Sequence, residues 1–241
     1  MEQSASESEA RNADLVPGLY VVGTPIGNLD DISARALDTL RRADAILAED
    51  TRHTRKLLTR FDIHTPLISC HQFNEARRSS DILRRLSAGA ALALVSDSGM
   101  PGISDPGSRV VAACREGGHP VYVVPGPAAV TAAVSLSGFG GAGFLFDGFL
   151  PVKSGARRRR LTALLAHDRP VVLYESPHRA LKLLNELQDL APDRRVFIGR
   201  ELTKRFEESV LGTPAEVAAA FAQRAAKGEW VVVIEPASAR K

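Results

Sequence analysis

The sequence predicts an α/β protein built from two α/β domains, and three observations support this prediction. Short β-branched runs alternate with segments of helical periodicity along most of the chain. Two of the runs, Ala91–Val95 and Val121–Val124, carry no charge, as is typical of strands buried on both faces of a parallel sheet. A chain of 241 residues is also long enough for two modest domains.

The first domain is predicted to hold a mainly parallel sheet, because its strands alternate with helices and parallel neighbours need such crossovers. The predicted strands are Gly18–Val22, Ala45–Ala48, Ala91–Val95 and Val121–Val124. The predicted helices are Ile32–Arg41, Thr51–Arg60, Glu75–Ser87 and Pro106–Glu116.

The second domain is predicted to combine helices with a mixed sheet. Its predicted strands are Val171–Tyr174, Val196–Gly199, Ser209–Leu211 and Trp230–Glu235. Its predicted helices are Arg157–Ala166, Pro177–Leu190 and Pro214–Ala226. Two of these helices have clear start signals, because Ser176 and Thr213 each precede a proline that can occupy the first helical position.

The domain boundary is predicted at a glycine cluster, since consecutive glycines form poor helix or strand interiors. The segments expected from this are a disordered tail over 1–16, an N-terminal domain over 17–137, a glycine-rich hinge over 138–148 and a C-terminal domain over 149–241. The tail is rich in Glu, Ser and Ala and lacks the apolar core of a signal peptide.

Composition indicates a cytoplasmic protein that is not embedded in a membrane. Two cysteines, Cys70 and Cys114, are too few for a disulfide framework or a zinc knuckle. The longest uncharged stretch, Gly117–Phe146, is interrupted by prolines and glycines and is predicted to fold as strand, loop and helix. The net charge of +3 permits a polyanionic partner without requiring one.

Three turns rich in glycine and proline follow predicted strands, at Gly23–Asn28, Ser96–Gly107 and Pro125–Pro127. Ligands bind at the carboxyl edge of open parallel sheets, where such turns gather. Each turn alone is equally typical of an ordinary loop between a strand and a helix, but three together favour a small-molecule pocket. The sequence contains neither the dinucleotide fingerprint, nor a P-loop, nor a serine-hydrolase elbow.

A basic run favours RNA or another polyanion as partner. Lys153 and the four arginines Arg157, Arg158, Arg159 and Arg160 lie within eight residues that contain no acid. A solvated helix start is the alternative, although cations at a helix N-terminus oppose the helix dipole.

Eight segments in order resemble the ribosomal RNA small-subunit methyltransferase I family of the tetrapyrrole methylase superfamily. They are VGTPIGNLDDIS, AEDTRHTRKLL, SDSGMPGISDPG, VVPGPAAVTAA, GFLPVKSGARR, YESPHR, GRELTKRFEE and KGEWVVVIE. The resemblance implies two α/β domains with a cofactor cleft between them, S-adenosyl-L-methionine as cofactor, and 2′-O-methylation of a cytidine in 16S ribosomal RNA. It also implies a homodimer and the 30S subunit or its RNA as partner.

The resemblance further implies which residues contact the cofactor. They are Pro25, Ile26, Gly27, Gly99, Met100, Ile103, Ala128, Ala129, Thr131, Tyr174, Glu175 and Leu202. Met100 stands where the family more often has threonine. A side-chain hydrogen bond to the cofactor is therefore not expected at this position, whereas main-chain contacts to the cofactor are.

The ribose hydroxyl is a weak nucleophile, so a general base is expected, and three acids in family-like motifs are candidates: Asp50, Glu175 and Glu201. Each has an equally good interpretation as part of a structural ion pair. Lys153, Arg157–Arg160 and Arg179 are the candidate RNA contacts. The chemistry needs no metal, and we predict none.

Two other functions remain open at this point. A superfamily methylase acting on a small tetrapyrrole would not need the basic run. A non-catalytic RNA-binding assembly factor would keep the fold without transferring a methyl group.

Overall fold

The computed structural model describes residues 15–141, 143–222 and 227–237, and the chain divides into two compact units. The first unit comprises the chain up to Pro25 together with Leu29–Pro127. The second unit comprises Ile26–Asn28 and the chain from Ala128 onward. Each unit is built around its own five-stranded sheet.

The first unit has an all-parallel sheet with the strand order β3-β2-β4-β1-β5. Its strands are β1 (Gly18–Val22), β2 (Ala45–Ala48), β3 (Leu67–Ser69), β4 (Ala91–Val95) and β5 (Val121–Val124). Strands β2 and β4 are buried at every residue, which explains their uninterrupted apolar sequences. The predicted parallel sheet is therefore confirmed.

Helices cover both faces of this first sheet. They are α1 (Ala34–Arg42), α2 (Thr51–Arg60), α3 (Glu75–Ser87) and α4 (Ser108–Glu116), with a 3₁₀ turn at Leu29–Asp31. Leu40 of α1 and Leu57 of α2 pack with Tyr20 on one face. Ile82 of α3 and Val110 of α4 pack with Leu19 on the other. Since successive strand residues point to opposite faces, α1 and α2 lie on one side of the sheet and α3 and α4 on the other.

The second unit has a mixed sheet, as predicted, and its strand order is β6-β7-β10-β8-β9. Its strands are β6 (Leu145–Phe149), β7 (Val171–Glu175), β8 (Val196–Arg200), β9 (Glu208–Gly212) and β10 (Trp230–Ile234). Strands β6 and β7 are parallel, whereas the other three pairs are antiparallel.

Four helices accompany the second sheet: α5 (Ala129–Ser137), α6 (Ser154–Leu165), α7 (Pro177–Leu190) and α8 (Pro214–Phe221). Leu161, Leu183 and Val217 of the last three helices pack on one face of the sheet. Helix α5 packs on the opposite face through Val130 and Ala133.

The domain limits differ from those expected from the glycine cluster. Helix α5, placed in the N-terminal domain by the boundary at 137, packs against the second sheet instead. Residues 145–149 form strand β6 of that sheet, although most of them had been assigned to the hinge. The glycines mark a helix end rather than a domain border, since Gly138 ends α5 in the left-handed conformation with φ of 70°.

Strand β6 was missed because it contains Asp147 and Gly148 and its pairing with β7 is irregular there. Strand β3 was missed because it is only three residues long. Residues 1–14, most of the predicted tail, and 223–226, the end of the last predicted helix, lie outside the described residues.

The described helices include none long and apolar enough to cross a membrane. Both cysteines are buried as free thiols, and burial raises the pKa of Cys70 and of Cys114 to about 11. At neutral pH both thiols are therefore protonated and poorly nucleophilic.

Candidate functional site

Three loops of the first unit follow β4, β1 and β5, which are neighbours in the parallel sheet. Their carboxyl ends therefore meet at one edge, which we call the loop edge. Thr24 and Gly99 hold two of the loops together through paired main-chain hydrogen bonds, with Thr24 N donating over 2.9 Å and Gly99 N over 3.1 Å. The Thr24 hydroxyl also donates to the Ser96 carbonyl oxygen over 3.2 Å.

The loop after β1 and the loop after β5 are in contact through their backbones. A Cβ added to Gly23 would lie 2.6 Å from Gly126 Cα and 2.7 Å from Met100 Sδ, so no larger residue fits without a shift of the backbone. Met100 thus fills the space beside the glycine contact. Pro25, which follows Thr24, is buried, whereas Ile103 exposes 40% of its surface. Among the predicted cofactor residues, Pro25, Gly99, Met100 and Ile103 therefore lie in loops at this edge of the first sheet.

Four carboxylates also gather at the loop edge: Glu49, Asp50, Asp97 and Asp105. The backbone N–H of Asp50 donates to Asp97 Oδ1 over 3.0 Å, which ties the end of β2 to the loop after β4. Burial, followed by repulsion from Asp105 and Asp97, raises the pKa of Glu49. Glu49 is not among the residues predicted from the sequence. Its position directly after a buried strand and before the family-like Asp50 was the available signal.

The predicted cofactor residues of the second unit also lie together. Ile26 and Leu202 are buried in one apolar cluster, with Ala128, Ala129 and Tyr174 packed against it. The Tyr174 hydroxyl accepts the backbone N–H of Val130 over 3.2 Å, which fixes the ring against the start of α5. Thr131, one turn into α5, is exposed.

Gly27 is held against the turn after β8. A Cβ at Gly27 would lie 2.5 Å from Lys204 Cγ and 2.9 Å from the Leu202 carbonyl oxygen. The next residue, Asn28, donates its backbone N–H to Thr203 Oγ1 over 3.0 Å. Glycine is required at position 27 because a side chain would displace this turn.

Asp50 is the N-cap of α2 and accepts the backbone N–H of Arg52 over 2.8 Å. The Arg52 guanidinium also pairs with the carboxylate over 3.2 Å. Side-chain and backbone hydrogen bonds from Arg52 lower the pKa of Asp50 to about 2. A carboxylate with so low a pKa is a weak proton acceptor.

Glu175 lies on the opposite face of the second sheet from Tyr174, because adjacent strand residues alternate. Its carboxylate is completely buried and is bound by Arg157 over 3.0 Å and by Arg179 over 3.1 Å. Burial raises the pKa of Glu175, and the two arginines oppose that shift. The predicted roles of Glu175 as base and as cofactor contact are therefore wrong for its side chain, which is locked in an internal ion pair.

Glu201 lies in the turn after β8, and its carboxylate is bound within the protein. Its carboxylate accepts Lys204 Nζ over 2.9 Å and the backbone N–H of Glu229 over 2.8 Å. Burial alone would raise the pKa of Glu201, but these hydrogen bonds outweigh it and lower the pKa. The ion-pair interpretation is favoured for this residue.

The basic run at the start of α6 is largely neutralised. Arg157 is only 1% exposed and also pairs with Glu186 over 2.7 Å, so its predicted RNA contact is wrong. Arg158 lies 3.5 Å from Asp189, and Arg160 pairs with Asp147. Arg179, mostly buried, contacts the Leu150 carbonyl oxygen as well as Glu175. Lys153 and Arg159 are exposed and have no carboxylate within 4 Å among the described residues.

Sequence comparison connects these features to known proteins. The family profile described as Tetrapyrrole (Corrin/Porphyrin) Methylases matches residues 18–218. A relative from Thermotoga maritima, named ribosomal RNA small subunit methyltransferase I, is 47% identical over 90% of this chain and 97% of its own length. Relatives of the same name from Synechocystis and Vibrio cholerae are 47% and 46% identical and are matched over 79% and 77% of their lengths.

Solved structures with low sequence identity share the fold. Uroporphyrin-III C-methyl transferase from Thermus thermophilus, complexed with S-adenosyl homocysteine, has a TM-score of 0.61 at 19% identity and covers 90% of this chain and 96% of its own. Diphthine synthase has a TM-score of 0.67 at 14% identity and covers 90% and 89%.

Proposed function

Because the chain belongs to the tetrapyrrole (corrin/porphyrin) methylase family, we propose that it transfers a methyl group from S-adenosylmethionine to the 2′-hydroxyl of a cytidine in 16S ribosomal RNA. The close relatives named ribosomal RNA small subunit methyltransferase I support ribosomal RNA as substrate. The observation that carries the proposal is the gathering of the family-like loops at one edge of the first sheet. Backbone contacts between Gly23 and Gly126 and between Thr24 and Gly99 hold these loops together.

The residues present fit the chemistry of this cofactor. Its sulfonium and amino groups are cationic, and the loop edge carries the carboxylates of Glu49, Asp50, Asp97 and Asp105. Its adenine ring needs an apolar surface, which the cluster around Ile26 and Ala129 in the second unit offers. Pro25, Gly99, the main chain of Met100 and the side chain of Ile103 complete the proposed contacts of the first unit. Gly27, Ala128, Thr131, Tyr174 and Leu202 are the other proposed contacts of the second unit.

Bound S-adenosylmethionine supplies an activated methyl group. The residues of this chain then have two tasks, which are to hold the acceptor hydroxyl in line with that group and to remove its proton. The tight glycine contact makes the loop edge rigid, because any movement of one loop displaces the other. Rigid positioning contributes to the rate since it lowers the entropic cost of aligning the reactants.

Glu49 is the base we propose. Its carboxyl accepts the backbone N–H of Asp97, and its raised pKa makes it a better proton acceptor than Asp50, whose pKa is about 2. Glu175 is completely buried and Glu201 is engaged by Lys204. Glu49→Gln should therefore lower kcat by about a hundredfold while leaving cofactor affinity within about twofold. The matched control is Glu116→Gln, at the exposed last residue of α4, which should leave kcat unchanged; equal rates for both variants would exclude Glu49.

We propose that the protein acts in the cytoplasm on the 30S subunit or its RNA, and as a homodimer. A small tetrapyrrole substrate, the chemistry of the uroporphyrin-III C-methyl transferase that shares the fold, is the competing function. The much higher identity to the ribosomal RNA enzymes favours RNA.

The deciding experiment supplies methyl-labelled S-adenosylmethionine to the full chain with 30S subunits, with free 16S RNA lacking the modification, or with uroporphyrinogen III. Labelled nucleotides are then mapped by mass spectrometry. We expect a single 2′-O-methylcytidine. Label on the tetrapyrrole alone would overturn the proposed substrate, and cofactor binding without transfer to any acceptor would support the non-catalytic assembly factor.

A further inference from the structure

Helix α2 carries a second basic surface, one that lies outside the run at α6. Arg52, Arg55, Lys56 and Arg60 are all exposed, and with Thr59 they line a shallow groove of about 590 Å³. We call these four cations the α2 basic face. Their spacing of i, i+3, i+4 and i+8 places them on one side of the helix, while Leu57 and Leu58 are buried on the other. The face spans ~12 Å along the helix axis.

Most of this charge is not neutralised within the protein. Arg52 pairs with Asp50, whereas among the described residues no carboxylate lies within 4 Å of Arg55, Lys56 or Arg60. Arg60 lies over the ring of Phe61, and Arg41 of α1 donates to the Phe61 carbonyl oxygen over 3.1 Å. Arg41 therefore adds a fifth cation near the C-terminal end of α2.

The start of α2 lies at the loop edge of the same unit. Asp50 caps the helix, and its backbone N–H donates to Asp97 in the loop after β4. Arg52 therefore lies in the first turn of α2, paired with Asp50 at the loop edge, and the basic face runs away from that edge along the helix. A polyanion bound there would have one end beside the proposed methyl-transfer site.

We propose that the α2 basic face binds the phosphate backbone of the RNA substrate. The occupant follows from charge complementarity, because three cations on one helix face that have no carboxylate partner in the described part of the chain match a chain of phosphates. The α2 basic face positions RNA without reading its sequence, since the contacts are to phosphates. This inference rests on the proposed function, because it assumes that RNA is the substrate.

The test compares two double variants of the full chain, each of which removes two exposed cations. Arg55→Ala/Lys56→Ala changes the α2 basic face. The matched control, Arg77→Ala/Arg115→Ala, changes α3 and α4 on the opposite side of the same sheet. Affinity for a fluorescent single-stranded fragment of 16S RNA is measured over a salt series, S-adenosylmethionine affinity by calorimetry, and methyl transfer with the labelled cofactor.

We expect the α2 variant to bind RNA roughly tenfold more weakly and to flatten the slope of log affinity against log salt by about 1.4. Its cofactor affinity should stay within twofold of wild type, and the control should match wild type throughout. Equal losses in both variants would mean that overall charge alone matters, and no loss in the α2 variant would mean that RNA binds elsewhere. Either result overturns the proposal.

The same measurements separate this inference from the proposed function. If wild type methylates RNA and the α2 variant binds RNA equally well, the surface is wrong and the function stands. If wild type binds RNA through α2 but transfers no methyl group to it, the proposed function is wrong and the surface stands.

Discussion

The start of α6 and the exposed side of α2 carry similar numbers of cations, but most of those at α6 are paired with carboxylates and most of those on α2 are not, among the described residues. At α6, Arg157 is inside the second unit, and Arg158 and Arg160 have carboxylate partners. On α2, only Arg52 is paired with a carboxylate among the described residues. The number of cations in a segment therefore does not determine how much positive charge it presents to a partner. That charge depends on which of the cations have a carboxylate nearby.

The difference arises from what lies beside each helix. The acids that neutralise α6 come from separate elements, with Asp147 on β6, Glu175 on β7 and Glu186 and Asp189 on α7. The acid that neutralises α2 is its own N-cap, Asp50, which reaches only the first turn. The rest of the α2 basic face is left for an external partner.

The largest expected effect is on stability, from Arg157→Met. This change removes the partner that Glu175 and Glu186 share, and breaking a buried pair costs about 3–5 kcal/mol. We expect the lower end of that range, because Glu175 keeps Arg179. Urea unfolding measures the loss. The control is Arg159→Met, whose exposed side chain should change the free energy of unfolding by less than about 0.5 kcal/mol. A small loss at Arg157 together with weakened RNA binding would restore it as an RNA contact.

The same variant has a predictable pH dependence. Burial raises the pKa of Glu175 in the folded protein above its unfolded value, so the folded state holds the proton more tightly. Stability linked to this group therefore increases as pH falls toward its unfolded pKa and decreases as pH rises. Removing Arg157 strengthens this dependence, so part of the stability of Arg157→Met should return as the pH is lowered from neutral toward the unfolded pKa of a glutamate, about 4.3.

The next largest effect is on RNA affinity, which should respond differently to substitutions in the two basic regions. Arg158→Ala/Arg160→Ala removes two cations that already have partners, so RNA affinity should fall by less than roughly threefold. The Arg55→Ala/Lys56→Ala variant should lose more and show the flatter salt slope. A larger loss at α6 than at α2 would reverse the comparison.

A smaller effect is expected when a paired cation is released. Asp147→Asn removes the carboxylate that holds Arg160, so RNA affinity should rise by roughly twofold and the salt slope should steepen by up to about 0.7. Asp168→Asn, at an exposed acid without a cationic partner among the described residues, controls for the added positive charge. The same gain in both variants would show a long-range charge effect instead of release of Arg160.

The smallest effect concerns the neutralisation of Arg52. The pKa of Asp50 is about 2 because Arg52 bonds to it. In Arg52→Ala the pKa should move toward the ordinary value of about 3.9, as followed by NMR titration of the carboxyl carbon. Since the folded pKa is lowered, the stabilising contribution of Asp50 is present above its unfolded pKa and is lost as pH falls through about 2. Arg55→Ala is the control, and an equal shift there would contradict the specific pair.

The sequence predicted the fold well where local signals are strong. Helices Thr51–Arg60, Glu75–Ser87 and Pro177–Leu190 have the predicted bounds, and two of them begin at visible signals, Asp50 and Ser176-Pro177. The uninterrupted apolar run of Ala91–Val95 correctly predicted a strand buried on both faces. The same prediction was wrong for Val121–Val124, because β5 lies at the edge of the sheet and exposes Tyr122 and Val123. Local signals failed where strand β6 carries Asp147 and Gly148, because the polar residue and the bulge break the pattern.

The candidate site was only partly predictable, since the partners of its charged residues are distant in the sequence. Arg157 meets Glu175 and Glu186 at separations of 18 and 29 residues, and no local pattern encodes those pairs. One signal was available. Glu175 shares the strand phase of the buried Val171 and Leu173, so strand alternation alone indicates that it points away from Tyr174.

The assignment of Ile26–Asn28 to the second unit has a consequence for synthesis on the ribosome. These residues emerge early, but the Asn28 hydrogen bond to Thr203 waits for a residue made 175 positions later. At about 5–20 residues per second, this delay is on the order of 10–35 seconds. A fragment starting at Ala128 would also lack Ile26 from its apolar cluster. The second unit therefore cannot be obtained intact by cutting the chain once, and its folding is completed only after Thr203 has been made.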